Sequence, residues 1–555
     1  MVGHKSYSFN TSALPEGRRQ VPVKVIDVPD MPTLHLPVVR PSKRRSGMSN
    51  GMKEWSIVGF FLLIMLVIRL YAALHAGLEV DEPIYRDAAL LTLQYGYPAI
   101  RPAYLHPVTP FLYHPPFFLF FLAEWFKFWG NTSYLTGRMS SVTVSLVMLL
   151  LLYIMTKQIM GRKVALLSLI LIGCDPWIVF TNQAIYLENS LMILIILTFW
   201  AYWRATRTVP SSYARYLGWY ACAGLLAGCA IIYKQIGGFV IPAIGLSLLL
   251  QRKHWRGHLV LFMCALLVVV SYVLSMHHTF GALYDSATLD QLWRTLGQKK
   301  APGLNDSIIT ALAAIWSLYW MFFITILVLV VGAALSLGRY MQHLLQRNMI
   351  HQPVILSWAA GGVVFALGIS LKSPHYMILW IVPLYLIVAQ EIVEVFWKKK
   401  LPFHLHAKGF LPYAPAFGLL LCMLILIGDA CGIQARFSHI PGDALRQSEA
   451  YLDETLPPDA IVLTQNYIGV DLTPQFLDIT LVTTPQLILQ KKVTYMALYW
   501  SQTQPISPGL GPVYRYCMPM KTFNGFKDHV EVCKINLVAL AAVAKQPKRV
   551  SRGVP

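Results

Sequence analysis

The chain has 555 residues, 56% of them hydrophobic and 13% charged, which is about half the charged share of a soluble globular domain. A formal net charge of +20 would suit a nucleic-acid binder, but the Lys and Arg residues lie in short clusters between long apolar blocks. That distribution excludes the nucleic-acid class and is the pattern of a polytopic membrane protein whose basic loops set its orientation.

Residues 1–52 are rich in Pro, Ser, Lys and Arg and lack a helical apolar period, so they are expected to be a disordered tail. No signal-peptide pattern opens the chain. Arg40, Lys43, Arg44 and Arg45, just before the first span, place the tail in the cytoplasm. A membrane region is expected over residues 53–431. Its first span is Trp55 to Leu74, and the loop 75–137 that follows then emerges on the outer side. That loop carries two adjacent carboxylates, Asp81 and Glu82. Carboxylates at a bilayer surface are costly to desolvate and mark a candidate site; the plainer alternative is a solvated loop. Pro115 to Trp129 is apolar and aromatic, but short and interrupted by Glu124 and Lys127, which predicts an interfacial helix.

Further spans are expected near 138–155, 163–182, 185–203, 216–233, 236–250, 257–277, 306–336, 354–371, 376–396 and 410–430. With this alternation the inner turns carry Lys157, Arg162 and Lys163; Arg204 and Arg207; Arg252, Lys253 and Arg256; Arg339 and Arg347; and Lys398, Lys399 and Lys400. The outer turns carry Glu188, Lys234, Asp285, Lys372 and few other charges. Arg294, Lys299 and Lys300, in a long outer loop, are the exception. The reading is an all-α polytopic protein of about eleven spans, up to about thirteen if long blocks such as 306–336 break in two.

After residue 431 the character changes to that of a small α/β unit, 432–544. A helix end near Tyr451 is followed by a Pro457-Pro458-Asp459 turn and a strand from Ala460. Short β-like runs follow at Ile479 to Thr483 and Val530 to Ile535. An odd span count puts this unit outside the cytoplasm, where Cys517 and Cys533 could form a disulfide. The eight cysteines show no CxxC pair and no metal-ligand spacing. A basic tail, 545–555, ends the chain, and no internal repeat of the transporter kind is found.

This topology brings Asp81, Glu82, Tyr113, His114, Arg138, Glu188, Lys234, Lys372, His375 and Tyr376 to one depth at the outer face. Such a set suits glycosyl transfer from a lipid-linked donor. A carboxylate takes the proton of an acceptor hydroxyl as the anomeric carbon is attacked, and fixed cations offset the charge gained by the leaving phosphate. Spacing alone also allows two other readings: a transporter or flippase of lipid-linked sugars, which uses intramembrane carboxylates and lysines too, or a binding scaffold. Arg138 and Lys234 could equally be snorkelling anchors, and His375 a plain helix-start residue. His277 and His278, at an outer helix end, read as interfacial.

Several segments carry a family resemblance. Val80-Asp81-Glu82-Pro83-Ile84-Tyr85, Tyr113-His114-Pro115-Pro116 and Tyr134-Leu135-Thr136-Gly137-Arg138 resemble the first outer loop of glycosyltransferases of the protein O-mannosyltransferase and aminoarabinose-transferase type, which have the GT-C fold. Ala184-Ile185-Tyr186-Leu187-Glu188, Tyr233-Lys234-Gln235-Ile236-Gly237-Gly238 and the run from Pro374-His375-Tyr376 to Pro383-Leu384-Tyr385 resemble later segments of the same family, in the same order. The resemblance implies that Asp81 is the general base or acceptor-site carboxylate, with Glu82 and Glu188 as further catalytic acids. Lys234 would contact the donor phosphate, helped by Arg138, His375 and Tyr376, and Tyr113 and His114 would line the substrate pocket. It further implies a polyprenyl-phosphate-linked sugar donor, a protein, lipid or glycan acceptor, and inversion at the anomeric carbon. A divalent cation is allowed but not specified. Two departures stand out. Tyr113-His114 replaces the Glu-Lys of the aminoarabinose transferases, and Gly297-Gln298-Lys299-Lys300-Ala301 stands where they have a His-rich stretch, so neither a lipid A acceptor nor a metal site carries over. The chain is expected to be a multi-pass protein, in the plasma membrane if prokaryotic.

Overall fold

The computed structural model describes residues 48–79, 81–101, 108–208, 212–251, 255–296, 323–346, 352–368, 374–397, 414–438, 444–479, 485–501, 510–525 and 528–544. Most of the N-terminal tail, the C-terminal tail, the first part of the 306–336 block, and Arg252, Lys253, Lys299, Lys300, Arg347, Lys372 and Lys398 to Lys400 lie outside these residues.

In hydrocarbon, backbone polar groups must be satisfied within the segment, so the apolar blocks fold as helices. In chain order these are α1 (Met48–His75), α2 (Asp81–Tyr95), an antiparallel pair of short strands β1 (Ala99–Ile100) and β2 (Thr109–Pro110), α3 (Phe117–Trp129), α4 (Tyr134–Met160), α5 (Arg162–Cys174), α6 (Pro176–Gln183) and α7 (Leu187–Arg207). Next come α8 (Tyr213–Tyr233), a 3-10 turn over Gln235–Phe239, α9 (Val240–Gln251), α10 (Trp255–Phe280), α11 (Ala282–Leu296), α12 (Phe323–Gln346) and α13 (Pro353–Gly368). A second 3-10 turn, Pro374–Met377, leads into α14 (Ile378–Ile392), and α15 (Ala414–Ser438) follows. Among the described residues, 7 helices are long and apolar enough to cross a membrane, and an eighth span is formed if α5 and α6, bent by 64°, count as one. The interfacial segment expected at 115–129 is α3, a helix of 13 residues.

The bend between α5 and α6 has a local cause. The Asp175 side chain accepts from the backbone N–H groups of Trp177 and Ile178, capping α6, and Pro176 starts the new helix. The same carboxylate accepts from Thr325 of α12 (2.9 Å) and Tyr385 of α14 (2.6 Å), so the bend is tied across the bundle. Close to it, buried Arg69 of α1 donates to Asn182 Oδ1 and to the Gly173 carbonyl. Helix α14 is enclosed along nearly its whole length. Trp358 of α13 stacks on Phe199 of α7 at 4.7 Å and donates to the Leu379 carbonyl. Helices α8 and α10 pack through a small-xxx-small pair: a Cβ at Gly224 would lie 2.2 Å from the Leu261 carbonyl oxygen, and one at Gly228 2.7 Å from Val268 Cβ.

The C-terminal part consists of α16 (Ala444–Thr455), β3 (Ile461–Thr464), α17 (Asn466–Gly469), β4 (Gln475–Asp478), α18 (Pro485–Gln490), β5 (Tyr495–Ser501), α19 (Gly511–Tyr514), β6 (Cys517–Asn524), β7 (Asp528–Ile535) and α20 (Leu537–Ala544). One five-stranded sheet has the order β4-β3-β5-β7-β6, with β3 parallel to β4 and β5 and β7 antiparallel to β5 and β6. Strand β4 ends at Asp478, and of the run expected as a strand at 479–483 all but Ile479 lies outside the described residues. Beneath this sheet lies Leu78, from the short linker between α1 and α2, buried with Ala444, Leu452, Val462 and Val530. The sheet region thus seats on the linker that leads to Asp81.

Cys517 and Cys533 form a disulfide with a Cα–Cα distance of 5.6 Å, across the β6–β7 pair. A loop of this size is stabilised by about 3 kcal/mol when closed. Replacing both cysteines by Ser should lower the stability of the C-terminal sheet by about 2–4 kcal/mol, seen as earlier proteolysis between β6 and β7 on heating. Unchanged protease resistance would show that the bridge adds nothing.

Candidate active site

The expected site residues fall into two adjoining groups at one end of the bundle. The first is centred on Glu82, in the first turn of α2, and Arg138, in the first turns of α4. Arg138 Nε donates to Glu82 Oε1 (2.9 Å) and Nη2 to Oε2 (2.6 Å), a bidentate pair with side-chain exposures of 0% and 2%. The rest of the guanidinium is taken up by the carbonyls of Ala73, Ala76 and Gly77, at the end of α1. Glu82 also accepts from the backbone N–H groups of Glu79 and Ile185. Sequence reasoning placed Glu82 at the reacting centre and Arg138 on the donor phosphate. The structure instead commits both to each other and to backbone, joining α1, α2, α4 and the segment entering α7.

The second group is chemically open. Helix α8 ends at Tyr233 and Lys234 is extended; the 3-10 turn then folds back so closely that a Cβ on Gly237 would lie 2.4 Å from the Ala230 carbonyl oxygen. This glycine-dependent reversal presents Lys234 inside the bundle end. Its Nζ lies 2.5 Å from Glu188 Oε1 and 4.9 Å from the centre of the Tyr376 ring. His375 Nε2 is 3.6 Å from the same Glu188 oxygen, and its ring stacks on Tyr186 at 4.5 Å. Tyr186, which sequence reasoning passed over as a site residue, donates to Glu79 Oε2 and so links the two groups. Glu188 Oε2 is buried with no hydrogen-bond partner among the described residues.

Asp81 starts α2 and is half-buried. Its carboxylate makes no hydrogen bond or ion pair among the described residues, yet it lies within electrostatic reach of Lys234, His375, Tyr376, Tyr85 and Tyr186. His114 belongs to the same neighbourhood. Its ring centre is 5.9 Å from those of both Tyr85 and Phe111, and Nδ1 is buried with no hydrogen-bond partner among the described residues. Tyr113 is exposed and meets Phe111 edge-on. Asp81, His114, Glu188, Lys234, His375 and Tyr376 are therefore brought together, with Tyr113 at the rim. Among the described residues no group of three or more His, Cys, Asp or Glu side chains is placed to hold a metal ion.

The C-terminal sheet grips the same helix. Asp471 pairs with Arg86 of α2 at 2.9 Å and accepts from the Tyr134 hydroxyl, while Arg86 lies over the Tyr134 ring and donates to the Thr132 carbonyl. No local sequence signal marks a partner so far along the chain. At the next position, buried Asp87 pairs with Arg101 at 3.1 Å. Burial pushes its carboxyl up to about 6, against the pull of Arg101.

With this geometry in view, comparison with known proteins is informative. A family model for dolichyl-phosphate-mannose-protein mannosyltransferases matches residues 113–277, the stretch holding His114, Arg138, Glu188 and Lys234. Among solved structures, the chain is similar to ArnT from Cupriavidus metallidurans bound to undecaprenyl phosphate, with TM-score 0.56 and 14% identity over 88% of this chain and 99% of that one. It is also similar to the archaeal oligosaccharyltransferase AglB from Archaeoglobus fulgidus in complex with an inhibitory peptide and a dolichol-phosphate, with TM-score 0.54 and 13% identity over 81% and 69% of the two chains. No curated protein matches the chain by sequence. The chain is a polytopic membrane protein of the GT-C fold. More particularly, it resembles the protein O-mannosyltransferase and aminoarabinose-transferase type of that fold.

Two predictions follow from the electrostatics. Glu82→Gln leaves the Arg138 charge buried and unpaired, a change that costs about 3–5 kcal/mol; thermal unfolding in detergent should show the loss, and an unchanged midpoint would remove the pair from its structural role. His114 is held well below the usual imidazole range, by burial first and then by the fields of Lys234 and His375. The unfolded imidazole takes up a proton below about pH 6.5 while the folded one resists it, so stability is full above that pH and is lost as pH falls toward the depressed folded value. The parent midpoint should drop between about pH 7.5 and 5.5, and His114→Phe should drop less over the same range. Equal drops would exclude His114 as a source.

Proposed function

We propose that this protein is a membrane glycosyltransferase that moves a sugar from a polyprenyl-phosphate donor to an acceptor hydroxyl at the extracytoplasmic membrane face, with inversion of the anomeric centre. The observation that carries the reading is the half-buried Asp81 carboxylate, engaged by no hydrogen bond among the described residues, within reach of a buried Lys234–Glu188 pair at the end of a GT-C bundle. In this reading Asp81 takes the acceptor hydroxyl proton, the acceptor oxygen bonds to the anomeric carbon, and the carbon–oxygen bond to the phosphate breaks. One carboxylate acting as base suits a single displacement, and hence inversion.

Lys234 is assigned to the leaving phosphate, whose growing charge it meets with little reorganisation because Glu188 and the Tyr376 ring already hold it. His375, braced by Tyr186, and neutral His114 are assigned to orient the sugar or phosphate. The polyprenyl phosphates named with the ArnT and AglB structures support the donor class, and the family match supports mannose or a related sugar. The disulfide in the C-terminal sheet suits an oxidising compartment and so supports the outer placement of this end.

The deciding measurement is mass spectrometry of protein-linked glycans and glycolipids from cells carrying the parent, no copy, or Asp81→Asn. A sugar-bearing product should be present with the parent and missing with the other two. In purified protein, transfer by Asp81→Asn should fall by about 10²–10⁴-fold while polyprenyl-phosphate binding is retained. Equal transfer by mutant and parent would take Asp81 out of the mechanism.

A further inference from the structure

Helices α7 and α8 bring the candidate site together through Glu188 at the start of one and Lys234 just beyond the other. Their other ends, about 30 Å away along helices of 21 residues, enclose a second feature that the proposed chemistry does not use. A pocket of about 430 Å³ opens there between Arg204, Arg207, Arg215, Trp203, Trp219 and Ser212. Among the described residues no acidic side chain lines it. Arg207 and Arg215 are exposed and form no ion pair among the described residues, while Arg204 lies over the Trp203 ring and donates to Gln158. The Ser212 side chain makes no capping hydrogen bond, so the first-turn N–H groups of α8 add to the positive field. The indole N–H of Trp203 meets no acceptor among the described residues.

Three guanidinium groups in one small pocket repel one another and favour an anion. Guanidinium forks match phosphate oxygens in pairs, which a carboxylate-poor pocket of this kind rewards. The level of the pocket identifies the source. It lies where the apolar stretch of α8 gives way to polar residues, and tryptophans flanking such a level are characteristic of the headgroup layer. Basic pockets between spans at that depth take up the phosphates of anionic lipids. We propose that the pocket between the C-terminal end of α7 and the N-terminal end of α8 is a binding site for the headgroup of an anionic phospholipid in the leaflet opposite the candidate active site. Its phosphodiester sits among Arg204, Arg207 and Arg215, and its glycerol region lies against Trp203 and Trp219. A zwitterionic lipid brings its own cation into the same field and is disfavoured.

The test uses full-length protein in detergent, with lipid retention counted by native mass spectrometry and thermal midpoints read in parallel. Phosphatidylglycerol should bind the parent and raise its midpoint. Phosphatidylcholine should do neither, and inorganic phosphate should give a much smaller shift. Arg204→Gln/Arg207→Gln/Arg215→Gln should weaken phosphatidylglycerol binding by about tenfold or more, as expected when three charge-assisted bonds are lost. Arg207→Gln/Arg215→Gln, which keeps the Arg204–Gln158 contact, guards against misfolding and should weaken binding in the same direction. Arg162→Gln/Lys163→Gln, an equal loss of charge outside the pocket, should bind as the parent does. Equal retention by the parent and the double pocket variant, or an equal shift from inorganic phosphate, would overturn the assignment.

Discussion

The buried Glu82–Arg138 pair is the constraint on which the candidate site depends. Six hydrogen bonds of Arg138 and Glu82, to carbonyls at and just beyond the end of α1, to each other and to the Ile185 N–H, fix four segments at one point. Burying two charges is costly, and only good geometry with the remaining donors and acceptors filled offsets it. Here Glu82 receives two N–H groups besides the guanidinium, and Arg138 spends its other bonds on carbonyls that α1 leaves open at its C-terminus. The return is positional: Asp81 is adjacent in sequence to Glu82, and Glu188 follows Ile185 by three residues. Both candidate carboxylates, Asp81 and Glu188, are therefore positioned by one buried pair.

This division of labour explains what could and could not be seen in the sequence. The apolar blocks and the change of character after residue 431 were legible because lipid permits few spanning structures and because turn residues punctuate the later strands. The gathering of Glu188, Lys234, His375 and Tyr376 was also legible, since alternating spans return their ends to one depth. The separate fates of Asp81 and Glu82 were not. Neighbours on a helix point about 100° apart, so one side chain of such a doublet faces the core and the other the cavity. Nothing in an Asp-Glu dipeptide says which is which. Arg138 misled in the same way: a cation at the right depth satisfies a phosphate or a carboxylate equally well, and only its distance from Glu82 decides.

The polar groups within the bundle show a related contrast. Asp175 is surrounded by two backbone N–H groups and two hydroxyls, and Arg69 by an amide and carbonyls, so these residues stabilise a bend and hold helices in register. The groups around Lys234 are incompletely satisfied: Glu188 Oε2 and His114 Nδ1 are buried without hydrogen-bond partners among the described residues. Buried polar atoms in native proteins are nearly always paired. Among the candidate residues, Glu188 Oε2 and His114 Nδ1 are such exceptions, and both lie in the neighbourhood of Lys234.

The seating of Leu78 beneath the sheet, with Asp471 clasping Arg86, bears on how the protein matures. These contacts join the linker and second helix to strands made several hundred residues later. Insertion of the spans can proceed as they leave the ribosome. The helix that begins with Asp81 receives this support only after the sheet has been translated, well after the spans that precede it. A product cut short before the sheet would reach the bilayer with its spans in place but with α2 lacking the Asp471 clasp on Arg86 and the sheet's packing on Leu78.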